Sequence, residues 1–166
     1  MTLPTPSQLI RSLALALGAA AIVIAATTVP AAAQHHHTVV AGDAIKWGPA
    51  PPSLPPGAQG AVLYGSPAKD GPFVLLLKFP AGFVVPPHRH SKDEFVTALS
   101  GRFVITPGET VDKASIKPLG AGSFFHLPAG MAHYAWADTE SVVQLSGMGP
   151  FDVTYVNPKD DPRKKD

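Results

Sequence analysis

The chain has 166 residues, 13 Lys and Arg against 12 Asp and Glu, and no cysteine. That length predicts one domain, and the balanced charge lacks the footprint of a nucleic-acid binder or of a cationic membrane-surface protein. Thiol catalysis, thiolate–zinc sites and disulfide stapling are excluded, so stability has to come from packing or from a metal.

The first 33 residues read as a processing segment. A short polar start ending in Arg11 precedes the apolar run SLALALGAAAIVIAA (Ser12 to Ala26), and Ala31 and Ala33 fit a small-residue cleavage site. This is the pattern of a secretory signal peptide, and the run is short for a bilayer span of about 20 residues. An uncleaved anchor is the alternative; a lipid anchor would need a cysteine after the run. Cleavage near Ala33 predicts a periplasmic or secreted protein with no membrane association once the segment is removed. It leaves QHHH at the new N-terminus, where His35, His36 and His37 read as a solvated tail that binds metal only adventitiously.

Residues 34–60 form an N-terminal extension. Its stretch WGPAPPSLPPG (Trp47 to Gly57) holds five prolines and cannot be helical. It predicts an extended strap over the domain, anchored by Trp47; a plain linker is the alternative. Residues 61–157 are short β-type runs divided by Gly and Pro: AVLYG, PFVLLLKFP, FVVPPHRH, EFVTALSG, RFVITPG, SIKPLG, SFFHLP, AHYAWA, SVVQLSGMG and FDVTYVNP. Such punctuation predicts an all-β sandwich or barrel. Phe73, Leu75, Leu77 and Phe79 fall on one face of a strand, with Lys78 on the other. The closing PKDDPRKKD (158–166) reads as a polar, solvated C-terminal tail.

Within GFVVPPHRHSKDEFVTALSG (Gly82 to Gly101), period two puts His88 and His90 on one strand face with Arg89 pointing away. SKD permits a turn, and Glu94 opens the next strand facing back across the pair. Two imidazoles and a carboxylate so arranged can hold a metal. Histidine pairs at this spacing also occur as hydrogen-bonded core or surface residues.

A second stretch, GSFFHLPAGMAHYAWA, contains G-x5-P-x-G-x2-H at Gly122, Pro128, Gly130 and His133, and the first contains G-x5-H-x-H-x3-E-x6-G at Gly82, His88, His90, Glu94 and Gly101. Together they resemble the two signature motifs of the cupin superfamily. The match departs at one position, where Ala137 stands in place of the usual Asn. The resemblance implies a double-stranded β-helix, a jelly-roll barrel. It implies His88, His90, Glu94 and His133 as ligands of one divalent transition metal per chain, with open positions for water, substrate or dioxygen. The segments around Trp47 and Phe151 extend the likeness to single-domain bacterial cupins of unassigned activity, similar to the cupin domain of zinc-dependent anti-sigma factors. The resemblance also allows a homodimer formed by pairing exposed strands.

Around this site, His126 could support a ligand or act in acid–base chemistry, or be an ordinary hydrogen-bonded barrel histidine. Gln144 could point into the cavity or out of the barrel. Val96 and Ala98 should line the cavity beside Glu94, and His133, Ala135 and Ala137 should share a face, leaving a small apolar wall near the metal. Phe103, Phe124, Phe125, Tyr134, Trp136 and Tyr64 read as core or subunit contacts.

Zn, Cu, Fe, Mn and Ni all suit three imidazoles and a carboxylate. With no twin arginine in the leader, the chain would cross unfolded and take its metal outside the cytosol, which favours zinc or copper. The first functional reading is a metal-dependent enzyme acting on a small organic molecule, of dioxygenase, isomerase or lyase type. The second is a non-catalytic metal- or ligand-binding sensor or carrier. The third is a barrel in which the metal only staples the fold.

Overall fold

The computed structural model describes residues 37–114 and 116–164. The proposed leader, its cleavage site, and His35 and His36 lie outside the described residues. His37 is exposed.

Among the described residues there is no α-helix, and ten strands follow in chain order. They are β1 (Gly48–Pro49), β2 (Gln59–Tyr64), β3 (Gly71–Phe79), β4 (Val84–Arg89), β5 (Glu94–Ser100), β6 (Phe103–Pro107), β7 (Phe124–Leu127), β8 (His133–Ala137), β9 (Ser141–Gly149) and β10 (Thr154–Tyr155). All pairings are antiparallel. One sheet has the order β1-β2-β3-β9-β5-β7 and the other β10-β4-β8-β6. This is the all-β jelly roll that the sequence predicts.

The core lies between the sheets because each contributes its alternate residues to it. Phe73, Leu75, Leu77 and Phe79 of β3, Val96 of β5 and Val143 and Leu145 of β9 join Val85, Phe103, Ala135 and Ala137 from the opposite sheet in one cluster. A second, smaller cluster covers the far face of β8. There Val104, Tyr134 and Trp136 pack with Val84, Val111 and Ile116, which explains why all five residues of β8 are buried. Tyr134 and Trp136 are therefore core residues, as expected, while Phe124 and Tyr64 stay exposed.

Two sequence readings need adjusting. The described part of SIKPLG, residues 116–120, is not a strand; Leu119 makes one isolated bridge to Phe103, Pro118 supplies no N–H, and Ile116 packs against the smaller cluster instead. The C-terminal stretch is not simply solvated over its described part. It forms 3-10 turns at Pro158–Asp160 and Pro162–Lys164. Arg163 donates to the Val153 carbonyl at 2.8 Å and to both oxygens of the buried Asp161 carboxylate at 2.7 and 2.9 Å, tying the turn to the barrel.

The proline-rich stretch lies as a strap. Pro49 and Gly48 pair with β2, Leu54 and Ala50 pack on the core, and the Tyr155 hydroxyl donates to the Ser53 carbonyl at 2.6 Å. Trp47 has the Lys78 ammonium 4.5 Å from its ring centroid, a cation–π contact.

The four motif glycines, Gly82, Gly101, Gly122 and Gly130, all have positive φ. At Gly101 a side chain is excluded twice: φ is +78°, and a Cβ would come within 2.1 Å of the Glu140 carbonyl oxygen.

Candidate metal centre

His88 lies near the end of β4, His90 immediately after it, Glu94 at the start of β5 and His133 at the start of β8. A simple alternation from Val85 would put His88 on the opposite face. Between Val85 and His88 the pairing of β4 with β8 slips register, so a bulge at Pro86–Pro87 turns His88 back inward, opposite His133. Two prolines fit there because neither has an N–H to give to the ladder.

Each imidazole is fixed by a backbone carbonyl. Nδ1 of His88 donates to Pro86 O at 2.7 Å, Nδ1 of His90 to Asp152 O at 2.5 Å, and Nδ1 of His133 to Met131 O at 3.0 Å. A carbonyl only accepts, so each Nδ1 carries the hydrogen and leaves Nε2 as the atom that faces the other rings. The three rings converge, with centroids 4.3 to 5.0 Å apart, and ligand atoms of all three lie within 4.8 Å of one another. Glu94 faces them, its Oε2 3.1 Å from His133 Nε2 and 3.4 Å from His90 Nε2. All four residues are at most 5% exposed.

His90 Nε2, His133 Nε2 and Glu94 Oε2 are buried without a hydrogen-bond partner. Leaving such atoms unmatched is costly, and three of them aimed at one point are what a cation would satisfy. The donor set therefore fits a divalent metal, and the His triad could hold one.

Burial, reinforced by the neighbouring His133 and His90, pushes His88 down to about 3, so this ring is neutral and ready to donate at neutral pH. Burial also works against charge at Glu94, but the facing imidazoles of His133 and His90 prevail and pull the carboxyl down to about 2. Burial opposes charge on His90 as well; there the Glu94 carboxylate prevails and holds the imidazolium above its usual range.

A cavity of about 210 Å³ opens against His88, His90 and Glu94. Apart from Ser53 its wall is otherwise apolar and includes Val96, Phe103 and Ala135, with Pro51 and Leu54 of the strap beside Ser53. Val96 lines it as expected. Ala98 and Ala137 are buried in the core and do not line it. Ala137 bonds through its main chain, its carbonyl accepting from Gly82 N at 2.8 Å and its N–H donating to Phe83 O at 3.0 Å. The turn that begins the first motif is thus held by backbone at this position.

The structure does not bring His126 or Gln144 to the site. His126 is exposed, 3.1 Å from Asp93 Oδ2 and stacked on Phe95 at 5.0 Å. Gln144 falls between the cavity-lining Val143 and Leu145, so alternation turns it outward, beside Leu76 and Thr97. Arg89 also points away, paired with Glu109. Phe151 had no assigned role in the sequence, yet its ring stacks on His90 at 4.3 Å and lines the cavity. Next to it, Asp152 supplies the carbonyl that orients His90, while its carboxylate is gripped by the N–H and hydroxyl of Ser91. Carbonyl partners are independent of residue type, so nothing in the sequence marks them.

Two facing sheets with three converging histidines at one end of an apolar cavity define a small-barrel protein with a pocket that could hold a metal. Residues 75–153 match the cupin domain family, so the chain carries a cupin domain over that span. Its fold resembles that of the polyketide cyclase RemF from Streptomyces resistomycificus (TM-score 0.62, 16% identity, 76% of this chain and 90% of that one). It also resembles an acetylacetone dioxygenase from Acinetobacter johnsonii (TM-score 0.56, 17% identity, 76% and 81%). A third similar structure is an RmlC-like cupin from Shewanella frigidimarina (TM-score 0.53, 17% identity, 69% and 91%). No curated protein matches the chain.

Proposed function

We propose that this chain is an exported cupin enzyme that binds one divalent transition metal through His88, His90, Glu94 and His133 and acts on a small organic molecule in the adjoining cavity. The observation that carries the reading is the junction of the buried, unpartnered Nε2 and Oε2 atoms with that cavity. A bound metal there would supply Lewis acidity toward a carbonyl or enolate oxygen, or a site for dioxygen. The chain's own residues orient and enclose. Pro86, Met131 and Asp152 carbonyls hold the three rings in one tautomer, and the apolar wall excludes water from the reacting end of the substrate. Similar folds in a dioxygenase and a cyclase support an enzyme of this general kind.

A non-catalytic carrier or sensor is the second reading. It is favoured by the cavity wall, where none of the described residues brings an acid–base side chain beyond the proposed ligands. Elemental analysis of protein recovered from the native periplasm, followed by an oxygen-uptake and turnover screen with that metal retained, tests both. One zinc or copper per chain and turnover of a small carbonyl compound or phenol is the expected result. Stoichiometric metal with tight ligand binding and no turnover would move the protein to the second reading. Only iron or manganese in that protein would overturn the preference for zinc or copper. Export is tested in the same sample, whose N-terminus should be Gln34; full-length chain found only in the cytosol would oppose it.

A further inference from the structure

We infer that the cavity takes a ligand with an uncharged apolar body, one benzene ring or slightly more in size, and a single oxygen-bearing end directed at the His88–His90–Glu94 side. This rests on the metal-dependent reading above and names the class of molecule that site accepts.

Size comes first. An apolar cavity of about 150 Å³ is enough to enclose benzene. The cavity here is about 210 Å³, which admits such a body plus a small head group. Polarity comes second. Apart from His88, His90 and Glu94, the only polar side chain on the wall among the described residues is Ser53, and none of their lysines, arginines or aspartates lines it. The Ser53 carbonyl is already taken by the Tyr155 hydroxyl. A sugar or polyol would bury hydroxyls with nothing to bond, each costing about tenfold or more in affinity. A second carboxylate or a phosphate at the far end would meet only carbon, and a buried unpaired charge costs more still. Polar recognition is therefore confined to one end. Third, the aromatic rings of the wall pack on one another, Phe73 on Phe151 at 5.3 Å and Phe79 on Phe103 at 5.5 Å, so they present carbon to the ligand.

The test uses the mature protein loaded with cobalt(II), whose visible absorption reports changes at the metal. Three carboxylates share one head and differ in body: benzoate, terephthalate with a second charge, and gluconate with a polyol chain. Benzoate is expected to perturb the cobalt bands and bind at least tenfold more tightly than either of the others. Gluconate or terephthalate binding as well as benzoate overturns the inference, as does no response to benzoate in fully loaded protein. The half-buried Ser53 of the strap, which is not part of the core cluster, also gives a variant. Ser53→Lys should improve terephthalate binding relative to benzoate, and an unchanged ratio overturns the placement in this cavity. If the wild-type chain takes up no stoichiometric cobalt, or His88→Ala takes up as much as wild type, the metal reading itself fails and this inference falls with it. Loading without discrimination removes the ligand class alone.

Discussion

Glu94 is a buried carboxylate opposite two buried imidazoles, and its charge decides where the cluster keeps its protons. Because Glu94 raises His90 above the ordinary imidazole range, the metal-free protein holds a proton there near pH 6.5. His88, pushed down to about 3, holds none. Metal must displace that proton. The sign follows: apparent metal affinity falls as pH falls, by about tenfold per pH unit for one displaced proton. Calorimetry of metal binding at pH 6.5, in buffers of different ionisation enthalpy, should show proton release that diminishes as pH rises. Glu94→Gln removes both a proposed ligand and the cause of the raised His90. It should weaken metal binding by at least the roughly 10- to 100-fold that loss of a mere supporting residue causes, and it should shrink the proton release. Unchanged affinity would remove Glu94 from the ligand set. These residues were legible because they are chemistry-bearing types at fixed spacing. His126 was equally conspicuous in type, and only the alternation across the Pro128–Gly130 turn, invisible to local period, puts it outside with Asp93.

Elements position these residues, and two of them carry irregularities that a period-two reading passes over. His88 and His90 were read correctly as a pair because the bulge at Pro86–Pro87 lies before both; a reading that began at Val85 would have reversed them. The strap was legible from its prolines, but its contact with Tyr155 spans 102 residues of sequence and leaves no local trace. That contact makes a testable element. Tyr155→Phe loses one hydrogen bond and should destabilise the protein by about 0.5–1.5 kcal/mol at neutral pH, with faster hydrogen exchange at the Leu54 amide than elsewhere. Burial raises the Tyr155 phenol from 10.0 to about 12, so the folded state favours the neutral form. Its contribution is then complete below pH 10 and lost as pH rises from 10 to 12. The difference in urea midpoint between wild type and Tyr155→Phe should stay constant up to pH 9 and narrow above 10. A difference that persists unchanged at pH 11.5 would show that the phenol does not anchor the strap.

At the scale of the whole molecule, the barrel has no cysteine to cross-link it and one principal apolar core shared by both sheets. At one end of that core the fold spends burial on three imidazoles and a carboxylate whose inner atoms lack partners. Without a cation these atoms have only the Glu94–imidazole contacts of 3.1 and 3.4 Å to offset their desolvation; with one, the same atoms would join β4, β5 and β8 through a common centre. Binding to the folded chain alone stabilises by mass action, about 2.7 kcal/mol when free metal is a hundredfold above Kd. For a domain of this size that corresponds to a rise of about 10 °C in Tm. Chelator-treated protein should melt lower by about that amount and recover on adding one equivalent of metal. His88→Ala separates this from surface binding by histidines such as His37, because its Tm should hardly respond to metal whereas wild type responds fully. A variant that gains as much as wild type would mean that the stabilising metal sits elsewhere. A carrier, an enzyme and a stapled barrel all share this dependence, so the thermal shift tests the ligand set. The turnover screen and the carboxylate series are what separate the functions built upon it.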